Sequence, residues 1–274
     1  MSRQKLGQHF LNNPAWQNRI LEKLPYASND IWIEIGAGQG QLTRHLSRHA
    51  RRLVAIETDP LLAQSLRAQI AANPYEWPNI EIAEGDVLSL DVLALARRAG
   101  LAENEKFRVY GNLPYYITSP IVHRLFQWAD HIASIHTVIQ LEVAQRIAAK
   151  PRSRDYGYLS VACQLYTHPE IAFKIPPGAF RPPPKVDSAL VSMSLPGERT
   201  NVSVPDDALF LRFVQACFAH KRKILRNNLR PLASDEVIHH ALAESGLTQD
   251  ARAEELSLAQ FASLSAHLRQ KRDS

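Results

Sequence analysis

The strongest constraint on this chain is a short apolar run that ends in glycines. Ile31-Trp32-Ile33-Glu34-Ile35 reads as a buried strand, and Gly36-Ala37-Gly38-Gln39-Gly40 follows before an amphipathic helix carrying Leu42 and Leu46. Strand, glycine loop and helix open a nucleotide-binding βαβ unit. The glycines let backbone approach a ligand closely, and the helix N-terminus favours negative charge. The spacing then narrows the ligand. A dinucleotide fingerprint wants glycine three residues after Gly38, where this chain has Gln41. Glu34, just ahead of the loop, places a carboxylate where a pyrophosphate would be repelled. The stretch points away from NAD or FAD and towards a neutral or cationic nucleoside.

The following strands deliver chemistry to the same place. Leu53-Val54-Ala55-Ile56-Glu57 is a second strand, and an acid at its end, about 20 residues past the glycines, can accept both ribose hydroxyls. Asp59-Pro60 caps the next helix. Residues 80–83 form a third, weaker strand, and Gly85-Asp86 adds another carboxylate at that edge. Singly, each acid is equally a solvated surface group. In an open parallel sheet, however, the ligand crevice lies at the C-terminal strand ends, and here successive ends carry ligand-type residues.

The fourth strand, from 107 to 110, runs into Tyr110-Gly111-Asn112-Leu113-Pro114-Tyr115-Tyr116. The Asn112 side-chain carbonyl and the main-chain carbonyl between Leu113 and Pro114 are acceptors, and Tyr115 offers a flat π face. Two acceptors beside a stacking plate suit an exocyclic amine on a heteroaromatic ring. Taken alone, the same stretch is equally a strand closed by a turn.

Elsewhere, Asn13-Pro14 caps a helix with Trp16, Ile20 and Leu24 on one face, and the arm ahead of it holds Gln8 and His9. Ser119-Pro120 caps a helix carrying Ile121, Leu125 and Trp128. Residues 135–139 and 171–175 read as a fifth and a sixth strand, 159–165 as a short helix, and 189–195 as the last strand. Ahead of that strand, Ala179-Phe180-Arg181-Pro182-Pro183-Pro184-Lys185-Val186-Asp187-Ser188 should be stiff and extended, holding Phe180 between two cations. Pro196-Gly197 marks a boundary, so two domains are expected, 1–195 and an all-helical 196–274. The expected helices of the latter are 206–218, 221–229, 234–245 and 256–267. Lys221, Arg222, Lys223, Arg226 and Arg230 carry positive charge with no intervening acid, either a solvated face or a phosphate-facing strip.

Composition limits the alternatives. A net charge of +5 is compatible with a nucleic-acid partner. Cys163 and Cys217 form no zinc or redox pattern, and the eleven histidines include no HExxH pair, so no metal is expected. No apolar run approaches the roughly 20 residues that span a bilayer, and no apolar signal segment follows Met1-Ser2-Arg3-Gln4-Lys5. A reduced, cytoplasmic protein with no membrane partner is the expectation.

Together these stretches resemble the KsgA-type 16S ribosomal RNA adenine dimethyltransferases, relatives of the erythromycin-resistance 23S methyltransferases. The resemblance runs nearly end to end. It covers Leu6-Gly7-Gln8-His9-Phe10-Leu11, Glu34-Ile35-Gly36-Ala37-Gly38, Glu57, Asp86 and Asn112-Leu113-Pro114-Tyr115. It continues through Tyr156-Gly157-Tyr158-Leu159-Ser160-Val161, Pro182 to Ser188 and Lys221-Arg222-Lys223.

The resemblance implies an α/β, Rossmann-like class I methyltransferase, with a mostly parallel seven-stranded sheet whose last strand is antiparallel, and a small helical C-terminal domain that binds RNA. It implies S-adenosylmethionine as donor and S-adenosylhomocysteine as product. Gly36 and Gly38 would line the donor, Glu57 would bind its ribose and Asp86 its adenine amine. Asn112 would border the donor as well, and His9 and Leu11 would close over it. Many relatives carry Asn at the position of His9. Asn112, Leu113, Pro114 and Tyr115 would hold the target adenine, with Phe180 on its other face, and Arg181, Lys185, Lys221, Arg222, Lys223 and Arg226 would meet RNA. The implied partner is 16S rRNA in an immature small subunit, bound by a monomer. A 23S enzyme and a non-catalytic assembly factor on the same fold are the competing readings.

Overall fold

The apolar runs of the sequence become strands in the computed structural model, which describes residues 8–220 and 223–270. In chain order the first elements are β1 (Phe10–Leu11), α1 (Pro14–Leu21), β2 (Ile31–Ile35), α2 (Thr43–His49), β3 (Arg52–Glu57), α3 (Pro60–Ala72), β4 (Ile80–Glu84), α4 (Val92–Arg98) and β5 (Phe107–Asn112). Then come α5 (Thr118–Phe126), β6 (Ile132–Gln140), α6 (Leu141–Ala148), α7 (Tyr158–Tyr166), β7 (His168–Ile175), β8 (Phe180–Arg181) and β9 (Ser188–Ser194). The last helices are α8 (Asp207–Cys217), α9 (Leu225–Leu229), α10 (Asp235–Glu244) and α11 (Leu258–Gln270).

The chain divides into two compact units. One runs from the N-terminal arm to Ala144 and resumes over Glu170–Leu195; the other comprises Gln145–Pro169 and the chain from Pro196 onwards. A seven-stranded sheet forms in the order β4-β3-β2-β5-β6-β9-β7. Strand β2 pairs in parallel with both β3 and β5, β3 with β4, and β5 with β6. All five β2 residues are buried, as expected for a parallel strand covered on both faces. Strand β9 inserts antiparallel against β6, from Ser134 opposite Ser194 to Gln140 opposite Ser188. The antiparallel last strand expected from the resemblance is therefore present.

This order sets the position of the site. From β2 the chain builds outwards through β3 and β4, then returns to place β5 on the other side of β2. Such a reversal leaves a crevice at the C-terminal ends of the two central strands. Ile35 lies opposite Gly111 in that pair, so the glycine loop and Asn112 leave the sheet side by side. Gly111 is required by this closeness: a Cβ there would sit 2.7 Å from Leu113 Cδ2 and 3.1 Å from the Ile35 carbonyl.

One feature of this unit is not apparent in the sequence, and the expected helix cap follows it. The arm residues Phe10 and Leu11 form β1 and pair antiparallel with Arg181 and Phe180 of β8. The Asn13 side chain accepts from the N–H groups of Ala15 and Trp16, starting α1 directly after this small sheet. Beneath it lies a core of Leu11, Ile20, Trp32, Tyr110, Phe180 and Leu190, among others.

In the helical unit, α7 packs against α8 and α11. The Tyr156 hydroxyl donates to the Leu256 carbonyl at 3.0 Å, and Phe218 sits between Tyr156 and Phe261. Residues 145–169, read from sequence as part of the sheet domain, make their contacts here. The basic helix expected over 221–229 is shorter: α9 begins at Leu225, and Lys221 and Arg222 lie outside the described residues. Among the described residues no helix is long and apolar enough to cross a membrane.

Candidate active site

The crevice at the β2/β5 switch point is lined by Gln8, His9 and Phe10 of the arm, Gly36 and Gly38, Glu57 and Thr58, and the run from Asn112 to Ile117. Of the residues expected at the site, it gathers His9, Gly36, Gly38, Glu57, Asn112, Leu113, Pro114 and Tyr115. A smaller cavity beside it is lined by Leu11, Glu34, Gly36, Gly38, Tyr110 and Asn112, among others.

Glu57 organises the glycine loop. One carboxylate oxygen accepts from Gly38 N–H at 2.7 Å and the other from Asp59 N–H at 2.9 Å. Burial raises its pKa, and those backbone bonds pull the other way. Gly38 has φ +60°, and a Cβ there would lie 3.0 Å from the Phe10 ring, so the arm rests directly on the loop. Glu34 is 3% exposed. Burial pushes its carboxyl up to about 8, with the Thr43 hydroxyl acting against the rise and the Glu57 charge adding to it. Its Oε2 and the Tyr110 hydroxyl are buried without a hydrogen-bond partner among the described residues.

The Asn112 side-chain N–H donates to the His9 carbonyl at 2.9 Å, and Asn112 Oδ1 takes no donor among the described residues. The Pro114 carbonyl is occupied, accepting from Ile117 N–H and the Thr118 hydroxyl, both at 3.2 Å. The Leu113 carbonyl, followed by a residue with no N–H, takes no donor among the described residues, while Leu113 N–H is fixed on Val138. Tyr115 is oriented by a 2.5 Å hydrogen bond between its hydroxyl and Ser188 Oγ. Burial raises the Tyr115 pKa, and that bond lowers it.

Other expected site residues lie elsewhere. Phe180 is 1% exposed and packs in the core under the arm, so it presents no face to a base. The cause is β1, whose pairing with β8 turns Phe180 inwards against Leu11. Asp86 is exposed beyond β4, its Oδ1 accepting from Leu88 N–H at 2.9 Å, and it does not line the crevice. Arg181 is exposed at the end of β8, and Lys185 is exposed on the loop that precedes β9. Lys223 is exposed ahead of α9, Arg226 is half-buried, and Arg230 pairs with Asp235 at 3.1 Å. Leu6 and Gly7, like Lys221 and Arg222, lie outside the described residues. Among the described residues no group of three or more His, Cys, Asp or Glu side chains is placed to hold a metal ion. Sequence reading missed Ser188 as the residue that orients Tyr115. It also left Tyr116, 61% exposed at the crevice, without a role.

The sequence profile of the family described as "Ribosomal RNA adenine dimethylase" matches residues 1–270. The chain is 40% identical over 272 residues to the Ribosomal RNA small subunit methyltransferase A of Koribacter versatilis, covering 97% of this chain and 94% of the relative. It is 38% identical over 263 residues to that of Xylella fastidiosa, covering 96% and 94%. A dimethyladenosine transferase from Plasmodium falciparum shares its fold, with TM-score 0.81 at 22% identity over 96% of this chain and 98% of the other. The 23S rRNA methyltransferase ErmE superposes with TM-score 0.67 at 28% identity, over 95% and 100%. The chain thus belongs to the ribosomal RNA adenine dimethylase family, and with it to the Rossmann-like methyltransferases that use S-adenosylmethionine.

Proposed function

We propose that the chain transfers methyl groups to N6 of two adjacent adenines near the 3′ end of 16S rRNA, acting as a monomer on an immature small subunit in the cytoplasm. The observation that carries this reading is the pair of open acceptors, Asn112 Oδ1 and the Leu113 carbonyl, beside the Tyr115 ring. Two relatives at 38% and 40% identity are named for the small subunit, whereas the 23S enzyme is at 28%, which favours a 16S substrate over a 23S one.

The residues fit the donor. S-adenosylmethionine supplies an electrophilic methyl group on a sulfonium. Gly36 and Gly38 leave backbone bare for close approach, and each Glu57 oxygen keeps a lone pair for a ribose hydroxyl. The unpartnered Glu34 Oε2 and Tyr110 hydroxyl line the smaller cavity, where a polar group would satisfy them. His9 and Leu11 of the arm would close over the donor, and Asp86 would take its adenine amine.

An adenine N6 lone pair is delocalised into the ring and is a poor nucleophile. Held by its two N–H protons on Asn112 Oδ1 and the Leu113 carbonyl, the nitrogen turns towards the tetrahedral geometry of attack. The same acceptors stabilise the positive charge that develops on it, a preorganised electrostatic effect. A strong base is unnecessary, because the protonated product amine is very acidic. Tyr115, fixed by Ser188, stacks the base at about 1–3 kcal/mol, comparable to the cost of unstacking it from RNA. Arg181, Lys185, Lys223 and Arg226, with Lys221 and Arg222, would meet phosphates.

The test is methyl transfer from labelled donor, at saturating donor, into immature small subunits and, in parallel, into 23S RNA, followed by nucleoside digestion. Asn112→Ala should lower kcat about 100-fold or more. Unchanged transfer would refute the acceptor mechanism. Label appearing in 23S RNA instead would favour the alternative substrate, and no label in any RNA a non-catalytic assembly factor.

A further inference from the structure

The arm does more than cover the crevice. Its His9 ring stacks on Tyr115, with ring centroids 5.5 Å apart and planes inclined by 29°. The His9 carbonyl accepts from the Asn112 side chain at 2.9 Å. His9 Nδ1 lies 2.7 Å from the Pro182 carbonyl, which can only accept, so this nitrogen carries the proton. One residue therefore spans both groups that a target adenine needs, the Asn112 amide and the Tyr115 face.

The loop that begins at Pro182 and ends at Ser188 holds both rings. Pro182 anchors the imidazole, and Ser188 anchors the phenol on which the imidazole lies. At 5.5 Å the two rings leave no room for a third between them. The cleft is correspondingly small, about 80 Å³, against roughly 300–1,000 Å³ for small-molecule sites. A flat, polar, aromatic side chain thus stands where a flat, polar, aromatic base must go.

We infer that His9 is a placeholder for the target base: its imidazole covers Tyr115 until an adenine displaces it, so the arm controls base entry. This rests on the assignment of Tyr115 as the stacking plate. Breaking the Pro182 contact and unstacking His9 must accompany base entry, and Tyr115 never stands bare to water or to the wrong aromatic group. Adenine gains over the imidazole because it offers a larger stacking face and two N–H donors for the open acceptors, which His9 cannot supply from its carbonyl.

A donor-free experiment tests this. A short RNA hairpin with 2-aminopurine at the first target position is titrated with protein; this base keeps the stacking face but has no N6 amine, so its fluorescence quenching reports the competition with His9 for the Tyr115 face alone. His9→Ala keeps the arm backbone and should reach half-quenching at about fivefold lower protein concentration than the parent chain. His9→Trp, a larger plate that clings to Tyr115, should need several-fold more protein. Equal or weaker quenching with His9→Ala, or stronger quenching with His9→Trp, overturns the placeholder. Tyr115→Ala separates the two ideas. If it leaves quenching intact, Tyr115 is not the plate and the proposed base site itself fails. If it abolishes quenching while the His9 variants behave as the parent, only the placeholder fails.

Discussion

Glu34 shows how much one buried carboxyl can decide. Its folded pKa is raised to about 8 by burial, so the folded state holds a proton that the unfolded chain releases above the ordinary carboxylate value. The stability this contributes is complete below that value and is lost as pH rises towards about 8. Glu34→Gln should remove most of that slope. Unfolding free energies of the donor-free protein, taken from urea titrations between pH 5 and pH 9, should fall for the parent by up to roughly 3–5 kcal/mol, and stay nearly level for the variant. Parallel curves would mean that Glu34 ionises freely in the folded chain. At this scale the sequence was informative where chemistry and spacing coincide, as with Gly38, Glu57 and Asn112. It misled at Phe180, because an aromatic residue just ahead of two cations reads the same whether its ring faces a ligand or the core. Ser188 carried no signal, since a serine opening a strand has no spacing that ties it to Tyr115.

Among elements, the long strands were legible and the short ones were not. Strands β2 and β3 are apolar over most of their length and β5 is largely buried, the pattern of strands covered on both faces. Strands β1 and β8 have two residues each, too few for any period, and only their pairing defines them. Helix α9 begins only at Leu225, because Ile224 ahead of it is extended, with φ −60° and ψ 143°. The 182–188 loop unites two functions, pinning Tyr115 from its buried end and exposing Lys185 at its middle. Lys185→Glu should therefore weaken RNA binding while leaving the Tyr115–Ser188 bond in place. In binding titrations at several salt concentrations, the slope of log affinity against log salt should decrease by about one. An unaltered slope would make Lys185 an ordinary solvated charge.

At the scale of the molecule, the helical unit is discontinuous. Helix α7 precedes β7 in the chain but packs with α8 and α11, and Tyr156 bonds Leu256 across 100 residues of sequence. Sequence could not reveal this, because α7 is a buried apolar segment whose pattern is the same in either unit. A fragment of residues 196–274 should accordingly fail to fold cooperatively, giving a broad, non-sigmoidal melt by circular dichroism. Addition of the 145–169 segment through a short linker should restore a cooperative transition. A sharp melt of 196–274 alone would show that its own helices suffice.

The latch on the arm also has a consequence for synthesis. His9 is held by Pro182, 173 residues downstream, and β6 keeps an open edge until β9 exists. A ribosome adding about 5–20 residues per second needs roughly 10–30 s to make that span. Throughout that interval the nascent arm has no partner strand, and the Tyr115 hydroxyl has no Ser188. The face that would act on RNA is therefore completed among the last parts of its unit, well after the glycine loop has left the exit tunnel.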